Sequence, residues 1–158
     1  MKLIRVVAVT TCGLLLSFAC LAEDNLRAAY SDEELVEILK DDGFRAVEIR
    51  EDRVIDVKVD GQTHVLLIYE DNDLQLYYGL TGYVISDRAI NEWNKTRRLS
   101  RAYLDDDNDP ILEADLLANA GMTPKQITEW MSVFVGSAQA FRQHLNENDQ
   151  AGDAAAGD

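Results

Sequence analysis

Reactive side chains are scarce in this chain. Two cysteines occur among its 158 residues, Cys12 and Cys20, and both lie in the first 20 positions. Histidine also occurs twice, as His64 and His144, with no His or Cys at helical spacing from either. Beyond position 20, a thiolate zinc site, a thiol nucleophile and a dithiol redox pair have no residues to be built from. No Gly-x-Ser-x-Gly elbow accompanies the histidines, and no glycine-rich phosphate loop occurs. Cations are few as well: 15 Lys+Arg stand against 29 Asp+Glu, a net charge of −14. Nucleic acid and anionic membrane surfaces both need clustered cations, so neither is expected as a partner. What remains is 47% apolar, enough for one core and one domain.

The start of the chain has a different character. Lys2 and Arg5 precede an almost wholly apolar stretch from Val6 to Leu21, and Ala22 stands before Glu23 and Asp24, the first acids. That order describes a secretory signal peptide over residues 1–22. The stretch falls short of the roughly 20 residues that span a bilayer, so cleavage after Ala22 is expected rather than a retained anchor. A second reading takes Ser17-Phe18-Ala19-Cys20 as a lipoprotein box with Cys20 acylated. Ser17 stands where such a box wants an aliphatic residue, so release ranks above tethering. Cleavage removes both cysteines and leaves a periplasmic or secreted protein with no disulfide and no membrane span. Residues 23–30 read as a short linker.

From position 31 the pattern is that of one α+β domain. Ser31-Asp32-Glu33-Glu34 is a capping box, Leu35, Val36 and Leu39 share a face, and Gly43 supplies a stop, so a helix is expected over 32–42. Four strands follow, at Phe44–Arg50, Val54–Asp60, Gln62–Glu70 and Leu74–Leu80. Asp60-Gly61 suits a tight hairpin turn, and Asp71-Asn72-Asp73 punctuates the next. Ile55, Val57 and Val59 alternate with Asp56, Lys58 and Asp60, which marks an antiparallel sheet with one covered and one wet face. Val65 to Tyr69 is apolar on both faces, and is therefore expected as a central strand whose outer face wants a further cover.

A second helix is read from Ser86 to Asn94, with Ala89, Ile90 and Trp93 inward and Arg97 and Arg98 at its C-terminal end. Two strands, Leu99–Leu104 and Ile111–Leu117, flank a turn from Asp105 to Pro110. In the second of them Leu112, Ala114 and Leu116 alternate with Glu113 and Asp115. Thr123-Pro124-Lys125-Gln126 opens a long helix whose stripe runs through Ile127, Trp130, Met131, Phe134, Ala138, Phe141 and Leu145. Residues 147–158 show no periodic face and are expected to form a disordered acidic tail. The fold class is thus α+β, an antiparallel sheet with helices packed on one face in the order α-ββββ-α-ββ-α.

Within that order, Ile90-Asn91-Glu92-Trp93-Asn94, Arg98, Ala102-Tyr103-Leu104-Asp105 and Glu113-Ala114-Asp115-Leu116 form a cadence that resembles the YbjN family, often labelled a bacterial sensory transduction regulator. Val59-Asp60-Gly61 matches its hairpin, and the resemblance extends over about residues 30–145, with the domain itself read as residues 31–146. It implies a fold similar to the class I type III secretion chaperones, which are non-enzymatic, often dimerise and bind extended segments of other proteins. An exported leader and an acidic tail depart from the cytoplasmic members, so a cytoplasmic regulatory role transfers poorly.

Each residue of the cadence also has a structural explanation. Trp93 is expected beneath the sheet with its indole N–H on a backbone carbonyl, and Asn94 at a helix end where its amide satisfies free carbonyls or its backbone takes a left-handed conformation. Glu113 and Asp115, on the wet face, are expected to pair with Arg98 or Arg101 in exposed contacts worth about 0–1 kcal/mol. No catalytic, cofactor-binding or metal residue is assigned. A calcium or metal-hydrolase site at Asp105, Asp107 and Asp109 is the alternative, but Pro110 stands where an EF-hand loop needs glycine and Leu116 where it needs glutamate. The function expected is protein binding, to a partner or to a second copy in a homodimer.

Overall fold

Ser31 starts the first helix by the reciprocal bonds its sequence suggests. Its hydroxyl accepts from the Glu34 amide at 3.3 Å, and the Glu34 carboxylate accepts from the Ser31 amide at 2.9 Å. The structure, a computed structural model, describes residues 26–150. The leader with both its candidate cleavage sites and residues 151–158 lie outside the described residues. Helix α1 spans Asp32–Asp41. Four strands follow, β1 (Ala46–Glu51), β2 (Val54–Val59), β3 (Gln62–Ile68) and β4 (Leu74–Gly79). After them come α2 (Asp87–Thr96), β5 (Arg101–Leu104), β6 (Pro110–Leu116) and α3 (Pro124–Asn148).

The element order is the one read from the sequence, and local chemistry explains where the boundaries move. Phe44 does not open β1, because its amide closes the end of α1 on the Leu39 carbonyl at 3.0 Å, beyond Gly43 at φ 107°. Asp60 at φ 50° and Gly61 at φ 75° give the left-handed pair that a two-residue hairpin turn demands. Leu99 also takes a left-handed conformation, at φ 65°, so β5 begins two residues later than expected. Helix α3 continues to Asn148, past position 147 where a tail was expected to begin. Its end is tied down: the Asp149 carboxylate accepts from the Val84 amide at 3.0 Å, and the Gln150 amide donates to the Val84 carbonyl at 3.0 Å.

All six strands form one antiparallel sheet in the order β1-β2-β3-β4-β6-β5. Ile55, Val57, Leu66, Leu76 and Leu112 line its inner face, fully or almost fully buried. Leu35 and Leu39 from α1, Ile90 and Trp93 from α2, and Phe134, Phe141 and Leu145 from α3 close over them into one core. Each such side chain contributes about 1.5–3 kcal/mol on burial, which is how a fold without disulfides holds. All three helices send their buried residues into that core, so they cover one face of the sheet. Among the described residues no helix is long and apolar enough to cross a membrane.

Candidate functional site

The cadence read from the sequence gathers where α2 meets the β5–β6 hairpin, and its residues have structural roles there. Trp93, on α2, is buried against α3, 5.0 Å centroid to centroid from Phe141 in an edge-on contact. Contrary to expectation, its Nε1 is buried without a hydrogen-bond partner. The ring is held by packing and by the Arg97 guanidinium, 5.2 Å from the ring centroid. Asn94 does not cap its own helix but reaches β5 at Ala102.

Glu113 corrects a second expectation. It lies on the outer face of the sheet, as the alternation requires, yet only 4% of it is exposed. Arg101, directly opposite in the β5–β6 register, is its ion-pair partner, and Tyr77 stands opposite on β4. Alternation reports which face a residue takes, not whether long neighbours lie across it. Asp115 is exposed and accepts from the Gln75 side chain at 2.9 Å rather than from an arginine.

That outer face carries an apolar strip outside the core that the helices cover. In register across it run Val54 opposite Leu67, Val65 opposite Tyr77, and Ile111 opposite Tyr103. All but Ile111 are half-buried. Ile111 is buried although it is not part of the core beneath the helices, because β4 places Gly79 opposite it. A Cβ on Gly79 would come within 3.2 Å of Ile111 Cδ1 and of the Tyr77 hydroxyl, so both side chains occupy the space above that glycine. The Tyr77 hydroxyl is raised above its ordinary pKa, first by burial and then by the negative field of Tyr103, Asp105 and Asp109. Charged residues frame the strip: Lys58 approaches Glu48 on β1 at 3.8 Å, and Arg101 and Glu113 close the opposite side. The sequence flagged Val65 and Leu67. It missed Tyr77, Tyr103 and Ile111, which share a face only once β6 lies between β4 and β5.

The remaining candidates for chemistry do not converge. His64 lies on the inner face, 2% exposed, its ring 4.9 Å from that of Tyr78 and 6.0 Å from Phe134. Burial lowers its pKa to about 4, so it is neutral at physiological pH. The small recess beside it, about 240 Å³, includes Asp60 as its one acid. His144 lies across the core, with Nε2 2.8 Å from the Ala89 carbonyl. At the acidic turn, the Asp105 carboxylate accepts from the Asp107 amide at 3.0 Å and the Asp109 amide at 2.9 Å. It is turned back on its own loop, as in a solvated hairpin turn. Among the described residues no three His, Cys, Asp or Glu side chains draw together as a metal site would require.

Comparison with known proteins agrees with this architecture. Residues 31–147 match the YbjN family, described as "Putative bacterial sensory transduction regulator", and the chain belongs to that family. Among solved structures it is similar to the Yersinia pestis type III secretion chaperone SycH, determined in complex with a stable fragment of YscM2. The TM-score is 0.53 at 18% identity, and the match covers 70% of this chain and 98% of the chaperone. At that identity the likeness is one of fold. No curated protein matches the chain.

Proposed function

We propose that this YbjN-family chain is an exported, non-enzymatic protein-binding domain of the bacterial envelope, chaperone-like or regulatory in action and periplasmic or secreted in location. The observation that carries the reading is the outer face of the sheet, where Val54, Val65, Leu67, Tyr77 and Tyr103 form a framed apolar strip that no helix covers. The shared fold supports it, since the chaperone of that fold was solved holding a fragment of another protein. Export rests on the leader: two cations, an apolar stretch and a small residue before the first acids.

Light scattering on the purified chain, with affinity capture from the native envelope, tests the reading. A dimer or a stoichiometric complex is expected, dispersed by Leu67→Glu or Tyr77→Glu. A strict monomer that retains no partner overturns it. Intact mass of the envelope-derived protein tests export: a chain beginning at Glu23 is expected, an acylated Cys20 would place it on a membrane, and an uncut cytoplasmic chain removes export from the proposal. Titration with calcium, zinc and manganese is expected to leave the melting temperature unchanged.

A further inference from the structure

The two edges of the sheet are not equally protected. β1, preceded by Arg45, presents Glu48, Arg50 and Glu51 and carries a bulge between Ile49 and Glu51, features that discourage strand addition. β5 is covered at Ala102, where Asn94 occupies the outward amide and carbonyl. Past the start of β5 the edge belongs to β6 itself. β5 pairs with Pro110 to Glu113 of β6 and no further, whereas β4 pairs with β6 as far as Leu116. Ala114 to Leu116 therefore have a neighbour on one side only.

The direction of the free groups follows from the ladder. The Pro110 carbonyl accepts from Leu80 on the β4 side, and the Asp109 carbonyl accepts from Asp105 on the hairpin side. By alternation Asp115 turns its amide and carbonyl outward, toward the place β5 would fill had Leu99 not turned away at φ 65°. A groove of about 540 Å³ opens at this point, with Leu99, Leu116, Trp130 and Val133 as its apolar walls. Leu99 and Val133 are largely exposed. Its charged residues are Arg101, Glu113, Asp115 and Glu129. Arg101 is already neutralised by Glu113, and Lys125 approaches Glu129 only at 3.9 Å, so Asp115 and Glu129 leave the rim negative.

We propose that this notch at the end of β5 takes a short extended segment of a partner protein, which adds to β6 beside Asp115 with an apolar side chain in the groove and Lys or Arg against Asp115 and Glu129. The main chain supplies the strand geometry, the groove selects the side chain, and the rim selects charge. The inference rests on the protein-binding reading but places the contact at an edge distinct from the outer face.

The test is fluorescence anisotropy of the purified chain with a labelled peptide of alternating lysine and valine, about seven residues long, the reach of one strand. A glutamate–valine peptide of the same length is the comparison. The lysine peptide should bind, more weakly as salt rises, and the glutamate peptide should not. Asp115→Pro removes the outward amide while leaving the β4 ladder intact; Val133→Glu and Glu129→Lys alter the groove from α3 without touching the sheet. Each should weaken binding about tenfold or more, whereas Leu67→Glu on the outer face should not. Thermal melts of all four identify variants that fold. Indifference to peptide charge, or to both α3 substitutions, overturns the inference. So does a chain that captures a partner through its outer face and ignores both peptides, an outcome that leaves the protein-binding reading standing.

Discussion

Asn94 and Ala102 exchange hydrogen bonds in both directions: the Asn94 side-chain amide donates to the Ala102 carbonyl at 2.9 Å, and the Ala102 amide donates to Asn94 Oδ1 at 2.9 Å. One side chain thereby acts as the missing neighbour of an edge strand, and it ties α2 to the sheet. Neutral hydrogen bonds of this kind contribute about 1 kcal/mol each. Asn94→Ala should cost about 2 kcal/mol in urea unfolding and raise aggregation through the uncovered β5 edge. Asn94→Asp keeps an acceptor but sets a carboxylate against the Ala102 carbonyl, so it should not restore stability. A near-neutral Asn94→Ala would show that the clamp contributes nothing net.

Among the described residues Glu113 has Arg101 as its one ion-pair partner, and it is almost fully buried. Removing the guanidinium strands a carboxylate with little access to water. We expect Arg101→Ala to cost about 2 kcal/mol, and the double substitution with Glu113→Ala to cost less than the sum of the two singles. A double-mutant cycle in chemical denaturation measures this directly; strict additivity would deny the coupling.

Burial of His64 makes stability depend on pH. The unfolded chain binds a proton through the ordinary value of 6.5, whereas the native imidazole resists protonation until about 4. Below 6.5 the unfolded state therefore holds more protons, and the native state loses stability as pH falls from 6.5 toward 4. The whole effect is on the order of 3 kcal/mol. His64→Leu should remove this slope, so the gap between variant and wild-type unfolding free energies should change between pH about 7.5 and about 4.5. Parallel curves would show that His64 is not the group responsible.

Leu99 adopts a conformation that costs an L side chain on the order of 1–2 kcal/mol. Glycine there relieves the strain at a comparable entropic cost, so Leu99→Gly should leave the melting temperature unchanged or slightly raised. Leu99→Val, which adds a β-branch to the same backbone, should destabilise by about 1 kcal/mol. Equal effects from the two would mean that the backbone relaxes when the side chain changes.

Much of the fold was legible because its signals are local. The capping box at Ser31, the Asp60-Gly61 turn, the Thr123-Pro124 helix start and the stripe from Ile127 to Leu145 each depend on residues within a few positions of one another. Strand faces were legible for the same reason, since Ile55 and Val57 alternate with polar neighbours. What escaped was pairing over distance. The interior position of β6, the burial of Glu113 and Ile111, and the free edge at Asp115 all follow from β4 choosing β6 over β5. Nothing near Leu99 in the sequence marks a left-handed turn, as an asparagine or glycine would have done. The Trp93 indole went the other way: a general rule about polar atoms supplied a partner that the packed interior omits.

The choice of β6 over β5 also orders events during synthesis. β1 to β4 are joined by hairpins and can pair as soon as residue 79 leaves the ribosome, but Leu74 and Leu76 gain their second neighbours only when Leu116 and Ala114 emerge. For that interval the nascent meander carries a bare apolar margin, the kind of surface on which chaperones act. A ribosome stalled between those two points should therefore display a species that holdases recognise and the finished protein does not.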